Sequence, residues 1–292
     1  MIEGIIVQTL VKGSVYACLA LGFALIFGVA RVLQLSHTAF YMLAAYGIMF
    51  FGGAQFMGWN LGLSVVLSIV ITTGIGLAIY KLCIDRVREH QVTVMLITLA
   101  VAMVFQQLML IIFGGQYRSA PSFIVGYWTI LGVKVAYQNI LVFVGSGIVL
   151  LIIWALISRT RLGIAIRATA QDTEIANLMG INVSTILFTV MGVASALAAI
   201  AGVLVAPTVV VDPAMWTTPF VMVMAIITLG GLGSIKGSVV GSFIIALVET
   251  LVVFLLPTGA FLAGAFALLV MIIVLVIRPE GLFGVVFEEE RL

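Results

Sequence analysis

The chain is built from apolar runs of about 20 residues that recur along its length, the size a helix needs to cross about 30 Å of hydrocarbon. None of the runs alternates polar with apolar residues as the strands of a membrane barrel do, so the pattern predicts helices. Charged residues make up 8% and hydrophobic residues 64% of the sequence, against about 25% and about 45–50% in ordinary soluble domains. No water-soluble packing would hide that much apolar surface. The expected class is all-α: a polytopic transmembrane helical bundle of about nine spans, with eight or ten as alternatives. The spans are expected near residues 5–30, 38–57, 61–82, 92–113, 139–157, 185–206, 216–233, 237–256 and 260–277. These spans and their short connections use nearly every position, which predicts residues 1–292 as a single transmembrane domain. The first run carries no basic leader and is too long for a signal-peptide core, so it is expected to be an uncleaved span.

Charge placement orients the bundle. If the polar segment 158–184 is cytoplasmic, alternation puts Arg31, Lys81, Arg86, Arg88, Arg159, Arg161, Arg167, Lys236, Arg278 and Arg291 inside. Only Lys12, Arg118 and Lys134 then fall outside. Cytoplasmic enrichment in Lys and Arg is the rule for membrane proteins, which predicts an external N-terminus and a cytoplasmic C-terminus. The stretch "LGGLGSIKGSVVGS" (229–242) reads either as a tight turn or as a broken, re-entrant helix. Small residues repeat at four-residue spacing at Ala194, Ala198, Gly202 and Ala206, and again at Gly233, Gly237 and Gly241. Each set lines one helix face and admits a neighbouring backbone, since lipid supplies no hydrophobic drive for helix association.

Catalytic constellations are missing. His37 and His90 both fall in expected turns, with no Cys, His or carboxylate partners patterned for a metal or a nucleophile. Cys18 and Cys83 lack ligand spacing and read as packing residues. No G-x-x-x-x-G-K-[ST] phosphate loop occurs, so any use of ATP requires another chain. The ionisable residues expected within spans are Lys12, two turns from a helix end and able to snorkel, and Glu249. A carboxylate at the depth of Glu249 should face the bundle interior or a water-filled path. It either lines a translocation route, pairs with a neighbour such as Lys12, or makes a structural hydrogen bond. Gln106 and Gln107 are expected to hydrogen-bond between helices.

The segment from Ser158 to Ser184 has helix grammar of its own. Thr169 or Asp172 can open a short helix, Asp172 and Glu174 suit the positive end of its dipole, and Gly180 followed by Ile181 fits a glycine C-cap. Ser184 is placed to cap the next span. Ile175, Leu178 and Met179 lie three and four residues apart and share one face. That face either rests on lipid or inserts into a groove of a soluble partner.

The stretch "RATAQDTEIANLMGIN" (167–182) resembles the coupling segment of bacterial ABC importer permeases of the branched-chain amino acid (LIV) type. The likeness extends through "GSVYACLALGFALIFGVARVLQLSHTAFYMLAAYG" (13–47), "LGGLGSIKGSVVGSFIIALVETL" (229–251) and "IRPEGLFG" (277–284). Thr38 and Lys236 depart from the residues common there. This resemblance implies an ABC importer permease fold in a bacterial inner membrane and a coupling loop at 158–184. It further implies a second permease or a second copy, two cytoplasmic ATPase subunits and an external solute-binding protein. ATP and Mg would be bound by the ATPases, with no cofactor on this chain and no nucleic acid. Matched to the motif, Arg167, Ala170, Asp172, Ala176 and Gly180 are coupling residues, joined by the apolar face of Ile175, Leu178 and Met179. Lys12 and Glu249 are the candidates for the translocation path. The expected cargo is a branched-chain or other amino acid, with urea or a short amide as the alternative. The rival of another class is a stand-alone secondary transporter or channel that uses Glu249 as its ion or proton site.

Overall fold

Backbone polar groups in hydrocarbon must be satisfied within the segment, and the apolar runs accordingly fold as helices. The computed structural model describes residues 2–88, 90–130 and 133–284; Arg291 lies outside the described residues. The chain forms α1 (Ile2–Ala30), α2 (His37–Gly52) and α3 (Leu61–Ile79), the last extended by a π-helical turn, Tyr80–Ile84. Next come α4 (Gln91–Phe113), a hairpin of β1 (Tyr127–Ile130) and β2 (Val133–Ala136), and α5 (Tyr137–Arg159). Two helices, α6 (Arg161–Gln171) and α7 (Thr173–Leu178), lead into α8 (Val183–Val205), α9 (Thr217–Gly230), α10 (Ile235–Leu255) and α11 (Gly259–Ile277).

Among the described residues, seven helices are long and apolar enough to cross a membrane. With α2 and α9 they match the nine expected runs. Those two are shorter than the sequence suggested: α2 stops at Gly52 rather than 57, and α9 has 14 residues. At about 1.5 Å per residue α9 is only about 21 Å long. Both have most of their residues buried inside the bundle. The antiparallel hairpin, with Tyr127 opposite Ala136 and Trp128 opposite Val135, is an addition to the expected all-α pattern.

Helix α1 is the hub. It is buried almost continuously from Gly13 to Ile26, and α10, α8, α5 and α9 pack against it. The small-residue stripe of α8 permits this density: Ala194, Ala198, Gly202 and Ala206 are all buried. A Cβ on Gly202 would collide with the carbonyl oxygen of Tyr41 in α2.

Residues 229–242 form a tight turn, which removes the re-entrant alternative. Gly231 (φ +97°) and Gly233 (φ +79°) turn the chain, and the Ser234 hydroxyl accepts from Gly237 N–H at 3.1 Å to start α10. Gly230 and Gly237 then bring the α9 and α10 backbones into contact. The "RPEGLFG" segment docks on the same turn, where Leu282 N–H donates to the Leu229 carbonyl at 2.8 Å and Phe283 N–H to that of Gly230 at 3.0 Å. These bonds satisfy carbonyls that the end of α9 leaves without helical partners.

Connectivity gathers the C-terminus of α1, the α3–α4 turn, α6, α7, the α9–α10 turn and residues 278–284 at one end of the bundle. The described Lys and Arg residues expected inside all lie at this end, while Arg118 and Lys134 lie at the other, so the charge split is a property of the fold. Replacing Gly202 with Leu should cost about 1–3 kcal/mol of stability by overpacking. Thermal unfolding of the purified protein should show a lower Tm; an unchanged Tm would contradict the α2–α8 contact.

Candidate functional site

Two features of the bundle stand out. The first is a cavity of about 460 Å3 between α1, α5, α10 and the segment joining α8 to α9. Glu249 projects into it from α10, 14 residues past Ile235 and so about 21 Å along the helix. Its Oε1 lies 2.6 Å from Lys12 Nζ, and its Oε2 accepts a 2.8 Å hydrogen bond from the Tyr16 hydroxyl. Lys12 and Tyr16 are one turn apart on α1 and reach the same carboxylate. Glu249 is 7% exposed, whereas a third of the Lys12 side chain is accessible. Lys12 therefore pairs instead of snorkelling, and Glu249 both pairs and lines a cavity. Tyr41, Asn139, Thr208, Asp212 and Thr218 add polar groups to the lining, interspersed with apolar positions such as Val15, Leu19, Val142 and Val209. Sequence reasoning missed these wall residues; Tyr16 alone had a legible signal, its i+4 spacing from Lys12.

The second feature is the α6–α7 segment. Where one short helix was expected, there are two, separated at Asp172. The Asp172 carboxylate accepts from the N–H groups of Glu174 (2.8 Å) and Ile175 (2.9 Å), so it is the N-cap. Thr169 is instead buried inside α6, with its hydroxyl donating to the Ala165 carbonyl at 2.9 Å. Arg167 donates to the Ile157 carbonyl and ties α6 back to the end of α5. Gly180 has φ +85°, the left-handed conformation of a C-terminal cap, and Ile181 N–H reaches the Ala176 carbonyl at 3.0 Å. Asn182, not Ser184, caps α8 through Thr185 N–H at 3.1 Å.

The expected face is open: Ile175 is 59%, Leu178 85% and Met179 79% exposed. Ala176, expected on the coupling surface, is instead buried against its own chain, because it sits on the opposite side of α7. Ala170 is half-buried and lines a separate hollow with Arg31 and Phe283. At the end of the π-helical turn, Lys81 bonds Asp85 at 2.6 Å and holds that carboxyl below its ordinary range.

Other candidates resolve as structure. His37 is the buried first residue of α2, not part of an exposed turn; its Nε2 lies 3.1 Å from the Leu19 carbonyl, which makes that nitrogen the donor. Gln106 accepts from Trp216 Nε1 at 2.8 Å, bridging α4 to the start of α9. Cys18 is buried and Cys83 half-buried, both free.

Residues 5–275 match the family model for the branched-chain amino acid transport system permease component. The chain belongs to that family. It is 27% identical to the high-affinity branched-chain amino acid transport system permease protein BraD of Pseudomonas aeruginosa, over 96% of this chain and 94% of that one. It is also 27% identical to the corresponding permease protein LivH of Escherichia coli K12, over 93% and 92%. Among solved structures, PsaBC from Streptococcus pneumoniae in complex with Fab aligns with a TM-score of 0.49 and 15% identity, over 95% of each chain. This permease is thus a multi-pass membrane transport subunit and not an enzyme.

Because Gly180 holds a left-handed backbone in open space, Gly180→Val should strain it by about 1–3 kcal/mol, while Gly180→Asn should be tolerated. Transport should fall in the Val variant with membrane level unchanged. Equal transport by both variants would count against the cap.

Proposed function

We propose that this permease forms, with a second permease or a second copy of itself, the translocation path of an ATP-driven importer in a bacterial inner membrane. Its cargo is a branched-chain or other amino acid, as the names of BraD and LivH suggest, delivered by an external solute-binding protein. The N-terminus is external and the C-terminus cytoplasmic, because the basic end of the bundle belongs inside. Two cytoplasmic ATPase subunits bind the ATP and Mg, for which this chain has no phosphate loop.

The observation that carries this reading is α7. A short helix, capped at both ends, presents Ile175, Leu178 and Met179 to solvent at the basic end of the molecule. Exposed apolar side chains at i, i+3 and i+4 are the anchors by which a helix seats in a groove of a partner. Arg167 and Asp172 set the position and start of this helix and Gly180 its end, while Ala170 and Ala176 keep it close to the bundle. When the ATPases close on nucleotide they bind two arrangements of the coupling segment differently. That difference drives the alternation of access at the cavity.

Leu178→Asp places a charge in the seat and should release the ATPases from the solubilised permease while leaving its membrane level unchanged. Retention of stoichiometric ATPase by this variant would show that the face is not the dock.

A further inference from the structure

An ion pair deep in a helical bundle is ordinarily inert, since each charge satisfies the other. The pair in the cavity of this permease differs in that its two members are held unequally. Glu249 is anchored: Tyr16 occupies Oε2, and the side chain is 9% accessible. Lys12 is the more accessible member, with a third of its side chain exposed, a flexible four-carbon stem and, among the described residues, no hydrogen-bond or ion-pair partner besides Glu249 Oε1. Both line a space of about 460 Å3 whose remaining wall combines polar groups with the apolar side chains of Val15, Leu19, Val142 and Val209.

We infer that Lys12 and Glu249 form an exchangeable counter-ion pair that reads both charges of an α-amino acid zwitterion. The inference rests on the amino-acid reading of the preceding subsection. The substrate ammonium takes the place of the Lys12 ammonium on Glu249 Oε1, and the released Lys12 accepts the substrate carboxylate. Each charge stays paired before and after the exchange, so the desolvation cost of an unpaired buried ion is avoided. A molecule carrying only one of the two charges leaves Lys12 or Glu249 without a partner, and that asymmetry gives selectivity through mismatch rather than through added affinity. Asp212, the other charged wall residue, accepts from Ala214 N–H at 2.8 Å and is held by its own turn. The apolar wall receives the aliphatic side chain, and Tyr16 keeps Glu249 in position throughout.

The test uses the complete purified complex with Thr218→Cys on the cavity wall, an exposed position, labelled by a water-soluble maleimide. L-Leucine at ten times its dissociation constant should slow labelling about tenfold, because only unoccupied sites react. Leucinamide, which lacks the carboxylate, and 4-methyl-2-oxopentanoate, which lacks the ammonium, should not slow it at the same concentration. Protection should be lost in Lys12→Met and in Glu249→Gln, and should stay lost when both are combined. A purely structural pair predicts the reverse for the double variant, since removing both partners leaves no unpaired charge. Recovery of protection in the double variant, or equal protection by either single-charge analogue, would overturn the inference. Absence of leucine protection in a complex that imports leucine would overturn the site alone, whereas a complex that imports no amino acid would overturn the reading beneath it. Lys12→Arg, which retains the cation, should keep protection within about threefold; its loss at normal assembly would equally count against the site.

Discussion

The structure turns on a charge carried by its most enclosed helix. Helix α1 is the element against which α10, α8, α5 and α9 are packed, yet Lys12 interrupts its apolar sequence. An ammonium in that setting must be paired or reach water, and Glu249 with Tyr16 provides the pairing. The pairing ties α1 to α10 at this level of the bundle. Where these helices meet α5 and the α8–α9 segment, it also lines a polar cavity. Lipid gives no hydrophobic reward for helix association, so close Ala and Gly contacts, interhelical hydrogen bonds such as that of Trp216 to Gln106, and this ion pair all help to hold the bundle together.

The two ends of the molecule follow from the same logic. At the basic end, glycines at 230, 231, 233 and 237 allow the α9–α10 turn, and residues 281–283 close over it. Helix α6 is fastened to the end of α5 by Arg167, and α7 starts at the Asp172 cap. At the far end, Arg118 and Val211 bridge the α4–α5 connection to the α8–α9 segment. Helices α5 and α8 border the cavity and, at the basic end, lead into α6 and out of α7.

Much of this was legible in the sequence. Apolar runs near 20 residues report spans because the bilayer imposes a minimum length, and among the described residues seven long helices meet it. The two short ones, α2 and α9, were overextended because apolar residues continue past Gly52 and up to Leu232; α2 ends in the turn that follows Gly53, and α9 ends where Gly231 and Gly233 take positive φ. Lys12 and Glu249 were conspicuous as rare charges in apolar stretches, but the cavity beside them depends on Asn139, Asp212 and Thr218, which come from elements far apart in the chain. The cap at Asp172 and the turn at Gly180 were readable from local chemistry. The inward placement of Ala176, the burial of His37 and the choice of Asn182 over Ser184 required the folded backbone.

The most direct test of the account is the energy source. The complex reconstituted in liposomes should take up labelled L-leucine only when ATP is supplied on the ATPase side and a loaded binding protein on the other. Uptake should persist when ionophores collapse the ion and proton gradients. Uptake by this chain alone that vanishes with the gradients and ignores ATP would contradict the account and make Glu249 the ion site of a secondary carrier.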